Sequence, residues 1–151
     1  MIKNYTSSVS AAKSIMHIEE CLAANGASSI IKQYGLIDKK VIAISFFINI
    51  GDSVGFTPFR LPANVSAVEA ILRRACKKPR KSFDDKVKQQ AERTAWKILS
   101  DWVDAQMALI QMDQAKLIEV FMPYIWYERQ GKSFFQMVES SGFSMLEAPK
   151  K

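Results

Sequence analysis

The chain has 151 residues, of which 48% are hydrophobic and 24% are charged, and it carries a formal net charge of +6. This size and composition are typical of one soluble globular domain and argue against global disorder. No apolar stretch approaches the ~20 residues of a membrane-spanning helix, and the first residues lack the apolar core of a signal peptide. The two cysteines, Cys21 and Cys76, form no disulfide framework and have no metal-ligand spacing, so we expect reduced thiols in a cytoplasmic protein.

The excess positive charge lies in one quarter of the chain, residues 60–97. This segment holds eleven basic and four acidic residues, so its net charge is +7, whereas the rest of the chain sums to −1. Clustered lysines and arginines attract polyanions through phosphate contacts and counterion release. The segment therefore predicts a nucleic-acid-binding surface made of Arg60, Arg73, Arg74, Lys77, Lys78, Arg80, Lys81, Lys86, Lys88, Arg93 and Lys97.

The chain begins with a predicted helix over 11–24. Ser10 stands where a helix cap is expected, and Gly26 accepts the left-handed backbone on which helices often end. Apolar residues recur at helical spacing along one side of this segment. They predict a buried stripe of Ile15, Ile18 and Leu22.

Three strands are predicted next, over about 28–33, 41–50 and 54–61, in that order in one antiparallel sheet. Strict alternation in 41–50 is typical of a strand with one face in the core and one half exposed. Pro58 lacks an N–H donor and favours an edge strand or a bulge. The residues expected to face the core are Ile42, Ile44, Phe46, Ile48 and Ile50.

Two helices are then predicted on either side of a linker, 77–81, which Pro79 keeps from being helical. The first, 65–76, is capped by Asn64, and the second starts after Ser82 and reaches about 112. Apolar residues cover roughly 200° of the second helix, so it should be central to the fold. Its remaining stripe is expected to be exposed and consists of Lys86, Gln90, Arg93, Lys97, Asp101 and Asp104.

The remainder of the chain predicts two further helices and a short tail. Asp113 can cap a helix over about 114–127, which Pro123 kinks or shortens. Ser133 can cap a last short helix to about Ser140, ended by Gly142. The predicted fold class is α+β, with α-β-β-β-α followed by three helices that include one long central helix.

This order of elements also fixes the expected domain organisation. We expect one domain, 1–147, with a sheet half over about 1–76 and a helical half over about 82–146. Residues 148–151 form a polar tail.

Residues with catalytic chemistry are sparse. His17 is the only histidine, which removes multi-histidine metal sites and leaves histidine-dependent catalysis only if His17 itself serves. We favour the interpretation that His17 lies at the surface of the first helix or at the boundary of its buried side. Asp101 and Asp104 lie three residues apart, a spacing that suits either Mg²⁺ or a plain solvated face, and we favour the solvated face. The sequence has no phosphate-binding glycine loop, and we predict no enzyme activity, metal ligand or cofactor.

Several segments together resemble a known set of proteins over nearly the whole chain. The most specific are Phe59-Arg60-Leu61-Pro62-Ala63-Asn64-Val65, Ala95-Trp96-Lys97-Ile98 and Asp101-Trp102-Val103-Asp104-Ala105-Gln106. They resemble a set of short uncharacterised proteins encoded mostly in phage and prophage genomes. The resemblance implies a prokaryotic host cytoplasm and a phage early-gene setting, where such proteins bind DNA or disable host machinery. It assigns no activity, so no residue roles follow from it.

Two functions are therefore predicted, from different classes. The first is a non-enzymatic accessory protein that binds the phosphate backbone with low sequence specificity, DNA more than RNA. The alternative is a protein-binding inhibitor or adaptor acting on host machinery, anti-CRISPR-like or polymerase-binding, anchored by aromatics such as Trp126 and Tyr127. Neither hypothesis includes a membrane partner.

Overall fold

A computed structural model describes residues 1–77 and 83–149 and has the predicted α+β architecture. Within these two ranges five helices and five strands follow one another, with 3-10 turns at Met122–Tyr124 and Ser144–Leu146. None of the described helices is both long and apolar enough to cross a lipid bilayer. In chain order the elements are α1 (Ala11–Ala24), β1 (Ser29–Tyr34), β2 (Val41–Asn49), β3 (Phe56–Pro62), α2 (Val65–Ala75), α3 (Phe83–Gln111), α4 (Leu117–Phe121), β4 (Trp126–Tyr127), β5 (Lys132–Ser133) and α5 (Phe134–Ser140).

The main sheet is antiparallel and has the order β1-β2-β3, as predicted. Phe46 at the middle of β2 lies opposite Ile30 of β1 and Phe59 of β3. Pro58 lies on β3, which is an edge strand of this sheet, so the missing N–H donor is tolerated there. A single bridge from Phe59 to Ile125 connects the outer edge of β3 to the start of the β4–β5 hairpin.

The core lies between one face of the sheet and helices α1 and α3. Phe46 and Phe59 stack with ring centroids 5.1 Å apart, and Phe121 meets Phe46 edge-on at 5.6 Å. Trp96 of α3 is fully buried in the same cluster. The predicted stripe of α1 is also confirmed, because all three of its residues are buried: Ile15, Ile18 and Leu22.

The alternation predicted for β2 holds over most of the strand and fails at its start. Ile44, Phe46 and Ile48 are buried, whereas Ile42 is 42% exposed. Ile42 lies at the start of the strand, where it lines a cleft with residues of the β1–β2 turn and α2 instead of entering the core. On the opposite face Ser45 is buried, so this face is more covered than expected.

The helix caps that the sequence predicts are present. The Ser10 hydroxyl accepts a hydrogen bond from the Lys13 backbone N–H, and Asn64 Oδ1 accepts one from the Ala67 N–H. Ser133 caps α5 in the same way. Each cap satisfies a backbone donor that the first turn of a helix leaves without a partner. The predicted cap Ser82 and most of the linker lie outside the described residues.

The helix predicted over about 114–127 is present but shorter than expected. The α4 helix covers only Leu117–Phe121 and continues as the 3-10 turn that contains Pro123. Trp126 and Tyr127 then pair with Lys132–Ser133 as a hairpin. Asp113 does not cap a helix, because its φ of 56° is left-handed and ends α3.

The stripe predicted to be exposed on α3 is exposed at Lys86 and Asp104, but the N-terminal segment covers part of it between them. The Gln90 side chain donates a hydrogen bond to the Ser7 carbonyl at 3.0 Å. Asn4 receives a hydrogen bond from Thr94 on its carbonyl and donates another from Nδ2 to Asp101 at 2.9 Å. These contacts between residues more than 80 positions apart have no local sequence signal.

Candidate functional site

The predicted basic surface centres on the place where α2 ends and α3 begins. The two helices pack side by side through Val68 on α2 and through Ala91 and Ala95 on α3. This packing brings the basic end of α2 near the first turns of α3. Three of the eleven predicted residues lie outside the described part of the chain: Lys78, Arg80 and Lys81.

Arg73 serves to join the two helices. Its guanidinium forms an ion pair with Asp84 of α3 at 2.5 Å and another with Glu69, one turn back on α2, at 2.7 Å. The hydrogen bonds to Asp84 and Glu69 raise the pKa of Arg73, and the same arginine lowers the pKa of Asp84. Because two carboxylates compensate its charge, Arg73 is a weak candidate for contacting phosphate.

Four other basic residues lie on these two helices or just past the end of α2, and within the described residues no acidic side chain forms a salt bridge with any of them. Arg74 and Lys77 lie at the end of α2, and the Arg74 side chain donates a hydrogen bond to the Ala70 carbonyl at 3.3 Å. On α3, Lys86 is exposed and Arg93 is half-buried. Seven residues separate Lys86 from Arg93, so both lie on one side of the helix, about 10 Å apart along it. We refer to Arg74, Lys77, Lys86 and Arg93 as the junction bases.

Lys88 and Lys97 do not join this group. Lys88 is only two residues from Lys86, which places it roughly 200° away around the helix. It lines a separate cleft, close to Glu69 and Glu92. The Lys97 ammonium binds Asp101 at 2.6 Å, so its charge is compensated.

Arg60 lies on the other face of the sheet and belongs to a different environment. Its Nε donates a hydrogen bond to Gln33 Oε1 at 2.6 Å, and its guanidinium lies 4.9 Å from the ring centroid of Trp126. Burial lowers the pKa of Arg60, and Glu128 partly offsets this. The side chain lines a cleft of about 530 Å³ with Tyr124, Trp126, Phe135 and Glu139. The sequence places Arg60 in the basic segment, but the strand turns it away from the junction bases.

The carboxylates of Asp101 and Asp104 do not form a shared site. Burial raises the pKa of Asp101, but hydrogen bonds from Lys97, Asn4 and Lys3 outweigh it and lower that pKa to about 2. Asp104 instead faces α1. The solvated face favoured from their spacing holds for Asp104, which is exposed, whereas Asp101 is partly covered by its contacts with Asn4 and Lys97.

Asp104 belongs to a cluster with His17 and Cys21 that the sequence pattern does not predict. His17 Nε2 lies 2.7 Å from Asp104 Oδ1, and the Cys21 thiol donates a hydrogen bond to the same oxygen at 3.3 Å. Burial and the contact with Asp104 raise the pKa of Cys21 to about 11, so the thiol stays protonated and is a weak nucleophile. The available signal was the four-residue spacing of His17 and Cys21, which puts both on one side of α1.

The turn between β1 and β2 presents apolar side chains to solvent. Ile37 is 98% exposed and Leu36 is 88% exposed. Tyr34, at the end of β1, is 55% exposed. Exposed apolar groups of this kind are typical of contacts with another macromolecule when they occur together.

Comparisons with models of protein families, with curated proteins and with solved structures found no match. The resemblance to phage-encoded proteins therefore stays a prediction.

Proposed function

We propose that this protein is a non-enzymatic accessory protein that binds the backbone of nucleic acid through the junction bases. The observation behind this proposal is the difference between these four residues and the other described bases of the same segment. Arg73 and Lys97 are held by carboxylates, and Arg60 and Lys88 point into separate clefts. The junction bases have no such partner among the described residues.

The expected mode of binding is electrostatic and largely independent of sequence. Contacts from lysine and arginine to phosphate position a protein on a nucleic acid but do not read its bases. Each contact with duplex DNA releases condensed counterions, so the four junction bases alone would give a salt slope of about −4 on logarithmic axes. DNA is the proposed ligand because the resemblance to phage-encoded proteins implies a DNA-handling setting.

A pair of variants with equal charge loss tests the assignment of this surface. The first replaces the junction bases with alanine: Arg74, Lys77, Lys86 and Arg93. The control replaces four exposed bases elsewhere: Lys13, Lys116, Arg129 and Lys132. Fluorescence anisotropy with labelled single-stranded and duplex DNA measures the DNA affinity of both variants, and circular dichroism checks that each variant is folded.

The junction variant should bind DNA roughly tenfold more weakly or worse, and the control should lose much less. The comparison separates a local surface from the effect of total charge, because both variants lose the same number of positive charges. Equal losses in the two variants would show that net charge alone attracts DNA. Unchanged binding in the junction variant would refute the proposed site.

A second candidate function is a protein-binding adaptor, and the exposed β1–β2 turn favours it. Large apolar side chains at the centre of an interface supply most of its binding energy, and Leu36 and Ile37 are available for that role. The aromatics first predicted as anchors are less available, because Trp126 and Tyr127 are both half-buried. Trp126 also donates a hydrogen bond to Glu128 at 2.9 Å.

The double substitution Leu36→Ser and Ile37→Ser tests this candidate. A partner protein that binds the parent in nuclease-treated host lysate should be lost from the variant, while DNA binding remains. Retention of the partner by the variant would exclude this turn as the interface.

A further inference from the structure

We propose that His17, Cys21 and Asp104 form a three-ligand site for Zn²⁺ that joins α1 to α3. This site is separate from the proposed nucleic-acid function and does not depend on it. The potential ligand atoms are His17 Nε2, Cys21 Sγ and Asp104 Oδ1, and all three lie within 4.8 Å of one another. A nitrogen, a sulfur and a carboxylate oxygen are the three kinds of ligand that zinc takes from proteins.

The distances between these atoms are close to those of a tetrahedral site. With typical zinc–ligand bond lengths, tetrahedral angles put sulfur about 3.6 Å from both nitrogen and oxygen, and nitrogen about 3.4 Å from oxygen. The observed separations are 3.6 Å from Cys21 Sγ to His17 Nε2, 3.3 Å from Cys21 Sγ to Asp104 Oδ1, and 2.7 Å from His17 Nε2 to Asp104 Oδ1. The two distances from sulfur are therefore nearly those of a tetrahedral site. The distance between nitrogen and oxygen has to increase by less than 1 Å when an ion binds.

The backbone that carries these ligands is fixed, so only side-chain rotation is required. His17 and Cys21 lie one turn apart on α1, which is anchored by the buried residues Ile18 and Leu22. Asp104 lies on α3 beside the buried Val103. Ligands on packed helices hold their geometry better than ligands on loops.

Access and charge also suit a divalent ion. The side chains of His17 and Asp104 are 45% and 50% exposed, which leaves an entry path and room for water as a fourth ligand. A thiolate and a carboxylate together balance the two charges of the ion, and the imidazole binds in its neutral form. The ion replaces the thiol proton, which leaves to solvent, and the imidazole binds through Nε2 with its one proton on Nδ1. Mg²⁺ and Ca²⁺ are disfavoured because they prefer sites made only of oxygen.

Cobalt substitution tests the site on the full-length protein. With thiols kept reduced by a phosphine, Co²⁺ should give a thiolate-to-cobalt charge-transfer band and the visible absorption of a tetrahedral complex, and added Zn²⁺ should remove both. Isothermal titration with Zn²⁺ gives the affinity. The variants are Cys21→Ser and His17→Gln, and the matched control is Cys76→Ser, which removes the chain's other thiol.

The parent and Cys76→Ser should bind one Zn²⁺ and show a higher melting temperature with the ion, because it binds only the folded state. Cys21→Ser and His17→Gln should weaken binding by at least the roughly 10- to 100-fold that loss of a supporting partner costs at a metal site. Absence of the charge-transfer band in the parent would overturn the proposal, and so would loss of the band in Cys76→Ser. The parent spectrum alone decides the matter if a ligand variant fails to fold.

Discussion

Arg73 of α2 and Asp84 of α3 form an ion pair of 2.5 Å that joins the two helices on either side of the 78–82 segment. Its neighbour Arg74 is exposed and forms no ion pair within the described residues. Two adjacent arginines of the same charge therefore have different environments. Arg73 therefore has a structural role, whereas Arg74 is available for binding.

Replacement of each arginine with alanine should show this difference. Arg73→Ala should lower the melting temperature by a few degrees, because it leaves Glu69 and Asp84 without their cation, and should change DNA binding little. Arg74→Ala should weaken DNA binding and leave the melting temperature nearly unchanged. Thermal unfolding measures the change in melting temperature, and fluorescence anisotropy measures the change in DNA affinity. If both variants changed these two quantities equally, Arg73 would not be the structural residue and Arg74 the binding residue of the pair.

Asp101 should contribute to stability in a way that acid removes. Its pKa of about 2 in the folded protein lies below the ordinary value of 3.8. The contribution is complete above about pH 4 and is lost as the pH falls toward 2, because protonation breaks the contacts with Lys97 and Lys3. Asp101→Asn should therefore cost about 1–2 kcal/mol at neutral pH.

Urea unfolding across the acid range checks this prediction. The parent should lose stability faster than Asp101→Asn between about pH 4 and pH 2, so that their difference narrows. A constant difference at all pH values would show that Asp101 acts through something other than its charge.

Arg60 should be important for stability and not for DNA binding. It contacts Gln33 and Trp126 on the outer sheet face through a planar guanidinium, a geometry that the lysine ammonium does not reproduce. Arg60→Lys should therefore cost about 1–2 kcal/mol in urea unfolding although it keeps the charge. If Arg60→Ala weakens DNA binding as much as Arg74→Ala does, the nucleic-acid surface lies on the outer sheet face instead.

The aromatic cluster should dominate the stability of the core. Phe46 is fully buried between Phe59 and Phe121, so Phe46→Ala should cost about 3–5 kcal/mol in urea unfolding. Phe135 is the matched control, because it is 49% exposed and its alanine variant should cost far less. Similar losses for the two would contradict the core described for this fold.

The elements that the sequence predicts well are those with local signals. The α1 helix has its Ser10 cap and a regular apolar stripe, and β2 has a strict alternation, so both were recognised with nearly correct bounds. The α3 helix was also recognised, because its apolar residues recur at helical spacing over many turns. The start of β2 is the exception, because the burial of Ile42 depends on which neighbouring residues reach that end of the sheet.

The features that the sequence did not predict depend on distant contacts. The bridge from Phe59 to Ile125 helps to set the β4–β5 hairpin, and its partners are far apart in the chain. Asn4 covers α3 through Asp101, 97 residues away, and His17 meets Asp104 across 87 residues. The basic segment was visible as composition, but which of its members are neutralised depends on Glu69, Asp84 and Asp101, whose positions only the fold defines.

The salt dependence of DNA binding is the most direct test of the proposed function. The parent should bind single-stranded and duplex DNA with an affinity that falls steeply with salt, with a logarithmic slope on duplex DNA of about −4 or steeper. Replacing the junction bases together with Lys78, Arg80 and Lys81 by alanine should weaken binding to every strand and flatten this slope. If the variant binds DNA and RNA as well as the parent does, the basic segment serves solubility and the proposed function is wrong.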